Sequence, residues 1–301
     1  MSDDKNNISK AVIQGEIGHY QKVKRDKVDF CNICGNRTEL TWDHVPPKFC
    51  FNDVNVRYNS MMEKVKLNRR QIIGQNGVRY RSICQYCNNT FLGTDYDPEY
   101  KKLVDILYNL YITPGEGGQY VVIKGLKINR ICRAIVGHFL AARNDYCNSV
   151  FEKELREYFL NKNLLPPKNY KLLYYTYIYN TIMIIRDVVP GYFGLNSEYK
   201  VPPSMLSCIN SFPLAFIITS DCNDTCGLYD MFELCTNNID DEIDLKIDLL
   251  SYLYPNHKCA RDPYWPCNIN DGETGTSFVL MSDTGHKDSV FSNIRNLKMK
   301  Q

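Results

Sequence analysis

Three short stretches of the sequence hold the residue types and spacing that do chemistry. They are Cys31-Asn-Ile-Cys34, then Trp42-Asp43-His44-Val-Pro-Pro-Lys48, then Cys84-Gln-Tyr-Cys87-Asn88. A C-x-x-C turn presents two thiolates from one tight loop, and two such turns supply the four soft ligands of a closed tetrahedral zinc site. Cys31, Cys34, Cys84 and Cys87 are therefore candidate ligands of a structural Zn2+. Forty-nine residues separate Cys34 from Cys84, so the metal closes a loop with the Asp-His pair inside it.

That loop is basic. Residues 45–83 carry Lys48, Arg57, Lys64, Lys66, Arg69, Arg70, Arg79 and Arg81 against Asp53 and Glu63, a net charge of +6. Residues 221–250 hold nine acids against Lys246, a net charge of −8. Basic residues beside a metal site suit a polyanion, because lysine and arginine neutralise phosphates and release their counterions. Lys48, Arg69, Arg70, Arg79 and Arg81 are the candidate nucleic-acid contacts, although a solvated basic face would have the same composition.

The elements that must position these groups follow from the local pattern. The first knuckle spans 28–39, with Gly35 where the turn after Cys34 needs a residue without Cβ. Residues 40–42 read as a short strand leading into Asp43-His44, and Pro46-Pro47 stops it. A helix is expected near 60–68, a short strand at 78–82, and a helix beginning over 84–92.

A hairpin carrying Asp-His, followed by a helix that opens on a polar amide, resembles the HNH nuclease family with its ββα-metal core. The closer similarity is to members with four cysteines, which read C-x-x-C, then D/E-H-x-x-P, then C-x-x-C-H/N. The resemblance covers roughly residues 29–100. It implies a metal-dependent endonuclease that hydrolyses phosphodiester bonds, with DNA the favoured substrate over RNA. His44 would be the general base, since an imidazole of pKa about 6.5 can take a proton near neutral pH. Asp43 and Asn88 would be oxygen ligands to a catalytic Mg2+ or Mn2+, and the four cysteines would hold a separate zinc. Each of these residues also has an ordinary role: Asp43 as a turn acceptor, His44 as a hydrogen-bonded structural histidine, Asn88 as a helix N-cap.

One position departs from the family. Its middle Asn commonly lies a few residues before the second knuckle and orients the base histidine, whereas here residues 79–83 read Arg-Tyr-Arg-Ser-Ile. A backbone carbonyl, Asn76 or Tyr80 is left for that task.

The rest of the 301 residues predicts an α+β architecture: a leader over 1–28, the nuclease-like domain over 29–100, and an α+β regulatory or specificity domain over 101–301. Apolar spacing predicts helices over 101–112, 128–143 and 150–160, and a strand at 120–123. His138, amid apolar residues, reads as a core histidine. After Pro166-Pro167, strands are expected at 172–179, 181–186, 214–219 and 228–234, and a helix at 243–253. Tyrosines at 174, 175, 177 and 179 read as packing residues. Cys222, Cys226, His257, Cys259 and Cys267 match no common zinc template.

No apolar run is long enough to cross a membrane, and the N-terminus lacks the basic-then-apolar order of an export signal. With an odd count of thirteen cysteines, the reading is a cytoplasmic protein with metal-bound and buried thiols instead of disulfides. HNH domains fused to unfamiliar C-terminal modules resemble bacterial restriction and anti-phage defence proteins. That analogy implies control by a protein partner or by homo-oligomerisation. A non-catalytic zinc-shaped module that binds nucleic acid or protein, or a subunit of a larger complex, is the alternative from a different class.

Overall fold

A computed structural model of the chain describes residues 25–53, 56–60, 72–74, 76–113, 120–179, 182–188, 206–220, 228–249 and 278–282. The expected helix at 60–68, Arg69, Arg70 and the Cys222–Cys267 group lie outside these, as do residues 1–24 of the leader.

Helices and strands are mixed, as the α+β expectation required. The Asp-His motif sits in a small antiparallel sheet of β1 (Val28–Phe30), β2 (Arg37–His44) and β5 (Arg79–Cys84), in the order β1-β2-β5. From Cys84 the chain passes directly into a helical stretch. Its first part, Cys87–Tyr96, is π-helical and runs on into α1 (Asp97–Ile112). Pro98 sits in the first turn of α1, at the junction where π-helical bonding gives way to α-helical bonding.

Two further helices close over this unit. Helix α2 (Ile128–Ala141) is buried along nearly its whole length, and α3 (Val150–Leu160) starts on Ser149, whose side chain accepts from the Glu152 N–H. Gly137 explains how closely α2 is seated. A Cβ there would lie 2.5 Å from Phe159 Cε2 and 2.7 Å from Leu92 Cδ2, so only glycine lets α2 meet α3 and the π-helical segment at this distance. Arg133 of α2 reaches the end of α3, where its Nη2 donates to the carbonyls of Asn161 and Leu164 at 3.1 and 2.7 Å. The guanidinium pins the turn by which the chain leaves α3.

The second layer is an antiparallel eight-stranded sheet of β3 (Val56–Ser60), β4 (Ile72–Gly74), β7 (Tyr170–Thr176), β8 (Ile182–Val188), β9 (Leu206–Asn210), β10 (Leu214–Ser220), β11 (Tyr229–Asp230) and β13 (Phe278–Ser282), in the order β11-β7-β10-β9-β8-β13-β3-β4. Its centre is β9 and β10, which are buried almost residue for residue because both faces are covered. Tyr100 of α1 meets Phe216 of β10 edge-on at 5.8 Å, and Phe212 packs between Phe51 and Tyr111. One cluster of buried apolar side chains runs from Ile33 through Leu103, Ile135 and Phe216 to Leu245.

Two expectations are corrected. Residues 243–253 were expected as a helix, but β12 (Ile243–Asp248) is a strand paired antiparallel with β6 (Tyr120–Leu126). The cause is visible in the side chains: Ile-Asp-Leu-Lys-Ile-Asp alternates with period two, burying Leu245 and Ile247 and exposing Asp244 and Lys246. In place of one strand at 228–234 there is a two-residue strand, β11 (Tyr229–Asp230), followed by a 3-10 turn at Phe232–Leu234. The Asp230 carboxylate forces the bend, accepting from the N–H groups of both Leu172 and Phe232 at 3.0 Å.

Candidate functional site

The four cysteines meet. One ligand atom from each of Cys31, Cys34, Cys84 and Cys87 lies within 4.8 Å of the others, close enough to hold a single metal ion. The first knuckle is shaped by the Gly35 N–H donating to the Cys31 carbonyl at 2.9 Å, with Gly35 at φ +72°, a conformation that side chains resist. The second comes from the strand-to-helix turn, where the Cys84 N–H points at Cys31 Sγ at 3.3 Å and the Cys87 N–H at Cys84 Sγ at 3.5 Å. Crowded thiols do not ionise independently. The Cys87 thiol beside Cys31 pulls the latter down to about 5, while burial pushes Cys34 up to about 11. Cys87 is pushed up by its bond to Cys31 and by burial. A bound cation would remove that conflict by balancing the thiolates.

Strand pairing sorts the neighbouring residues into two faces. Trp42 stands opposite Arg81, Asp43 opposite Tyr80 and His44 opposite Arg79. Directly opposed residues share a face, and successive residues alternate. Trp42, His44, Arg79 and Arg81 therefore form an outer face, while Asp43 and Tyr80 point inward and are buried. The register slips between Thr41 and Trp42, so Ser82 is skipped in the pairing. Its hydroxyl instead donates to the Ala141 carbonyl at the end of α2 at 2.7 Å.

On the outer face, the guanidiniums of Arg81 and Arg79 lie over the Trp42 ring at 4.7 and 5.7 Å from its centroid. Trp42 is 38% exposed, a large aromatic left open beside two cations. Lys48, at the start of the 3-10 turn Lys48–Cys50, is exposed and close enough for its charge to act on His44.

His44 is half-buried, and its Nε2 is 2.9 Å from the Asn76 carbonyl. A carbonyl accepts, so Nε2 carries the hydrogen and Nδ1 keeps the lone pair. Burial pushes the His44 pKa below its usual value, offset by the Asn76 carbonyl and reinforced by Lys48. Asn76 itself is at φ +62°. The turn that carries it is clamped by Asn52, which is fully buried: its Nδ2 donates to the Pro46 and Val78 carbonyls at 2.5 and 3.0 Å, and its Oδ1 accepts from the Val78 N–H at 2.7 Å. The orienting group is thus a backbone carbonyl and not a side-chain amide. No local spacing pattern marks Asn52 for this role.

Asn88 opens the π-helical segment. Its Nδ2 donates to Thr41 Oγ1 at 3.1 Å and approaches the Trp42 carbonyl at 3.4 Å. That ties the helix to β2 immediately before Asp43. Asp43 Oδ2 is buried without a close hydrogen-bond partner among the described residues, and neither hydrogen bond of Asn88 uses its Oδ1. Two hard oxygen donors on adjoining elements suit Mg2+ or Mn2+, which take one or two protein oxygens and complete the shell with water and phosphate.

Behind Asp43 lies His138 of α2, 2% exposed. Its Nδ1 is 3.4 Å from Asp43 Oδ2, and its Nε2 is 3.0 Å from Asp97 Oδ1. Burial pushes its pKa down, but Asp97 and Asp43 outweigh that and carry it up to about 10. His138 is a core histidine, as the sequence indicated; that it bridges two carboxylates was not legible there.

No helix among the described residues is long and apolar enough to cross a membrane. Comparison with protein-family models, with curated proteins and with solved structures found no match.

Proposed function

We propose that this chain is a metal-dependent HNH-type endonuclease that hydrolyses phosphodiester bonds of nucleic acid, DNA in preference to RNA. The observation that carries the reading is the placement of His44. Its ring is fixed by the Asn76 carbonyl, with Nδ1 left as the proton acceptor, on a face lined by Trp42, Arg79 and Arg81.

Cys31, Cys34, Cys84 and Cys87 hold a structural zinc that ties the first knuckle to the strand-to-helix turn. His44 Nδ1 takes the proton from an attacking water, a task worth about 10²–10⁴-fold in rate. Lys48, Arg79 and Arg81 neutralise backbone phosphates and fix the strand over His44. Asp43 and Asn88 offer their side-chain oxygens to one divalent ion. When bound, that ion polarises the phosphate and stabilises the developing charge.

The test is cleavage of plasmid, linear and single-stranded DNA and of RNA in Mg2+, Mn2+ or EDTA, with zinc measured on the same preparation. Cutting that needs the added ion and is lost in His44→Ala supports the reading. Equal cutting by His44→Ala sinks it.

The burial of Asp43 against His138 favours a second reading, in which the carboxylate is structural and the zinc-stapled face only binds nucleic acid. Salt-sensitive binding with no product at any metal concentration would select it.

A further inference from the structure

The Asp97–His138–Asp43 row is made by three elements, α1, α2 and β2, and only one end of it belongs to the Asp-His motif. We propose that His138 is a positioning residue: anchored by Asp97, its imidazole holds the Asp43 carboxylate in the orientation that receives a divalent cation. The proposal rests on the reading of Asp43 as a metal ligand.

Three observations carry it. First, Asp43 Oδ2 and His138 Nδ1 are both buried and lie 3.4 Å apart, and neither has another hydrogen-bond partner among the described residues, so each is the other's polar neighbour. Second, the imidazole is itself fixed on its far side. Asp97 Oδ1, at 3.0 Å from Nε2, removes the ring flip that would otherwise let the side chain turn away. Third, the helix that carries His138 is seated by a close approach. The residue beside it is Gly137, where any Cβ would strike Leu92 and Phe159. Leu92 lies on the same segment as Asn88, so this packing sets the distance from His138 to the ligand-bearing wall.

A buried imidazolium has two N–H groups to satisfy, and two acceptors on one element would suffice. This one spans two carboxylates, one at the first turn of α1 and the other beside the base. Partners that orient a metal ligand are commonly worth about 10–100-fold in metal affinity.

The test is Mn2+ binding, followed by electron paramagnetic resonance on the full-length, zinc-loaded chain. Wild type is compared with Asp43→Asn, His138→Gln and Asp97→Asn, with zinc content and circular dichroism on each. Asp43→Asn is expected to lose the tight Mn2+ signal. His138→Gln and Asp97→Asn are expected to weaken it about 10–100-fold while zinc and fold are kept. The Mn2+ concentration giving half-maximal cleavage should rise by the same factor, with the rate recovered at saturating Mn2+. If Asp43→Asn loses Mn2+ and His138→Gln binds it as wild type does, positioning by His138 is overturned and the nuclease reading stands. If Asp43→Asn binds Mn2+ normally, or wild type binds none, the ligand role of Asp43 falls and the proposal with it. If both His138→Gln and Asp97→Asn lose zinc or unfold, the row supports the core and the proposal is wrong.

Discussion

His44 and Asn76 are joined through a ring nitrogen and a backbone carbonyl, 2.9 Å apart across the open end of the β2–β5 pair. The bond decides which ring nitrogen is free. It also ties the tautomer of His44 to the shape of a turn, and the shape of that turn to Asn52.

Replacing His44 with alanine removes the proton acceptor and leaves the thiol cluster alone. Single-turnover cleavage should fall by about 10²–10⁴-fold. Zinc content and the thermal midpoint should stay near wild type, because His44 is half-buried and makes one hydrogen bond to a backbone carbonyl. A matching loss of zinc would mean that the defect is in folding and the base assignment lacks support.

Gly77→Ala tests the turn instead of the base. Gly77 sits at φ +76°, and a Cβ there would fall 2.1 Å from the Asn52 backbone oxygen. The chain must shift, and the Asn76 carbonyl next to it must move. The substitution should cost more than about 1 kcal/mol of stability and slow cleavage without touching any candidate ligand. Asn52→Ala should act in the same direction, since it strands the buried Val78 N–H, a loss of about 1–3 kcal/mol. Urea denaturation beside cleavage rates would show both; wild-type rates in Gly77→Ala would uncouple the turn from the site.

The thiol cluster is expected to be a condition of folding. Structural zinc contributes roughly 10 kcal/mol or more in small metal-folded domains, comparable with a whole domain's stability of about 5–15 kcal/mol. Cys84→Ser should therefore lose zinc and melt far below wild type, and a strong chelator should do the same over time. About one zinc per chain is the expected stoichiometry for four cysteines in one site. A zinc-free chain with an unchanged melting curve would refute the staple.

Sequence pattern exposed what is local and hid what is distant. C-x-x-C turns, the Pro-Pro stop and the apolar spacing of α2 are written within a few residues of themselves, and each falls where it was expected. The carbonyl that orients His44 has no side-chain signature. Asn52 acts through partners brought close by the fold, with no spacing rule to announce it. At 243–248 apolar and charged residues alternate as a strand requires, yet the partner strand β6 lies over a hundred residues away. Register between such distant strands is set by tertiary packing.

The outer face of β2 and β5 gives the last prediction. Trp42 stands two residues before His44 on the same face, with Arg81 stacked on its ring at 4.7 Å. An exposed indole can stack on an unpaired base of any sequence, worth about 1–3 kcal/mol when truncated to alanine. Arg81, by contrast, would act on phosphate, where the effect is electrostatic and falls with salt. Trp42→Ala should therefore weaken binding to single-stranded DNA about 5–150-fold with the slope of log affinity against log salt unchanged. Arg81→Ala should lower that slope by about one. Both are read by fluorescence anisotropy with a labelled oligonucleotide over a salt series, using His44→Ala protein so that the probe stays intact. Should Trp42→Ala bind as tightly as its parent, the indole is packing for Arg81 and not a platform for bases. Should Arg81→Ala leave the slope unmoved, Arg81 does not contact phosphate and the strand does not run across this face.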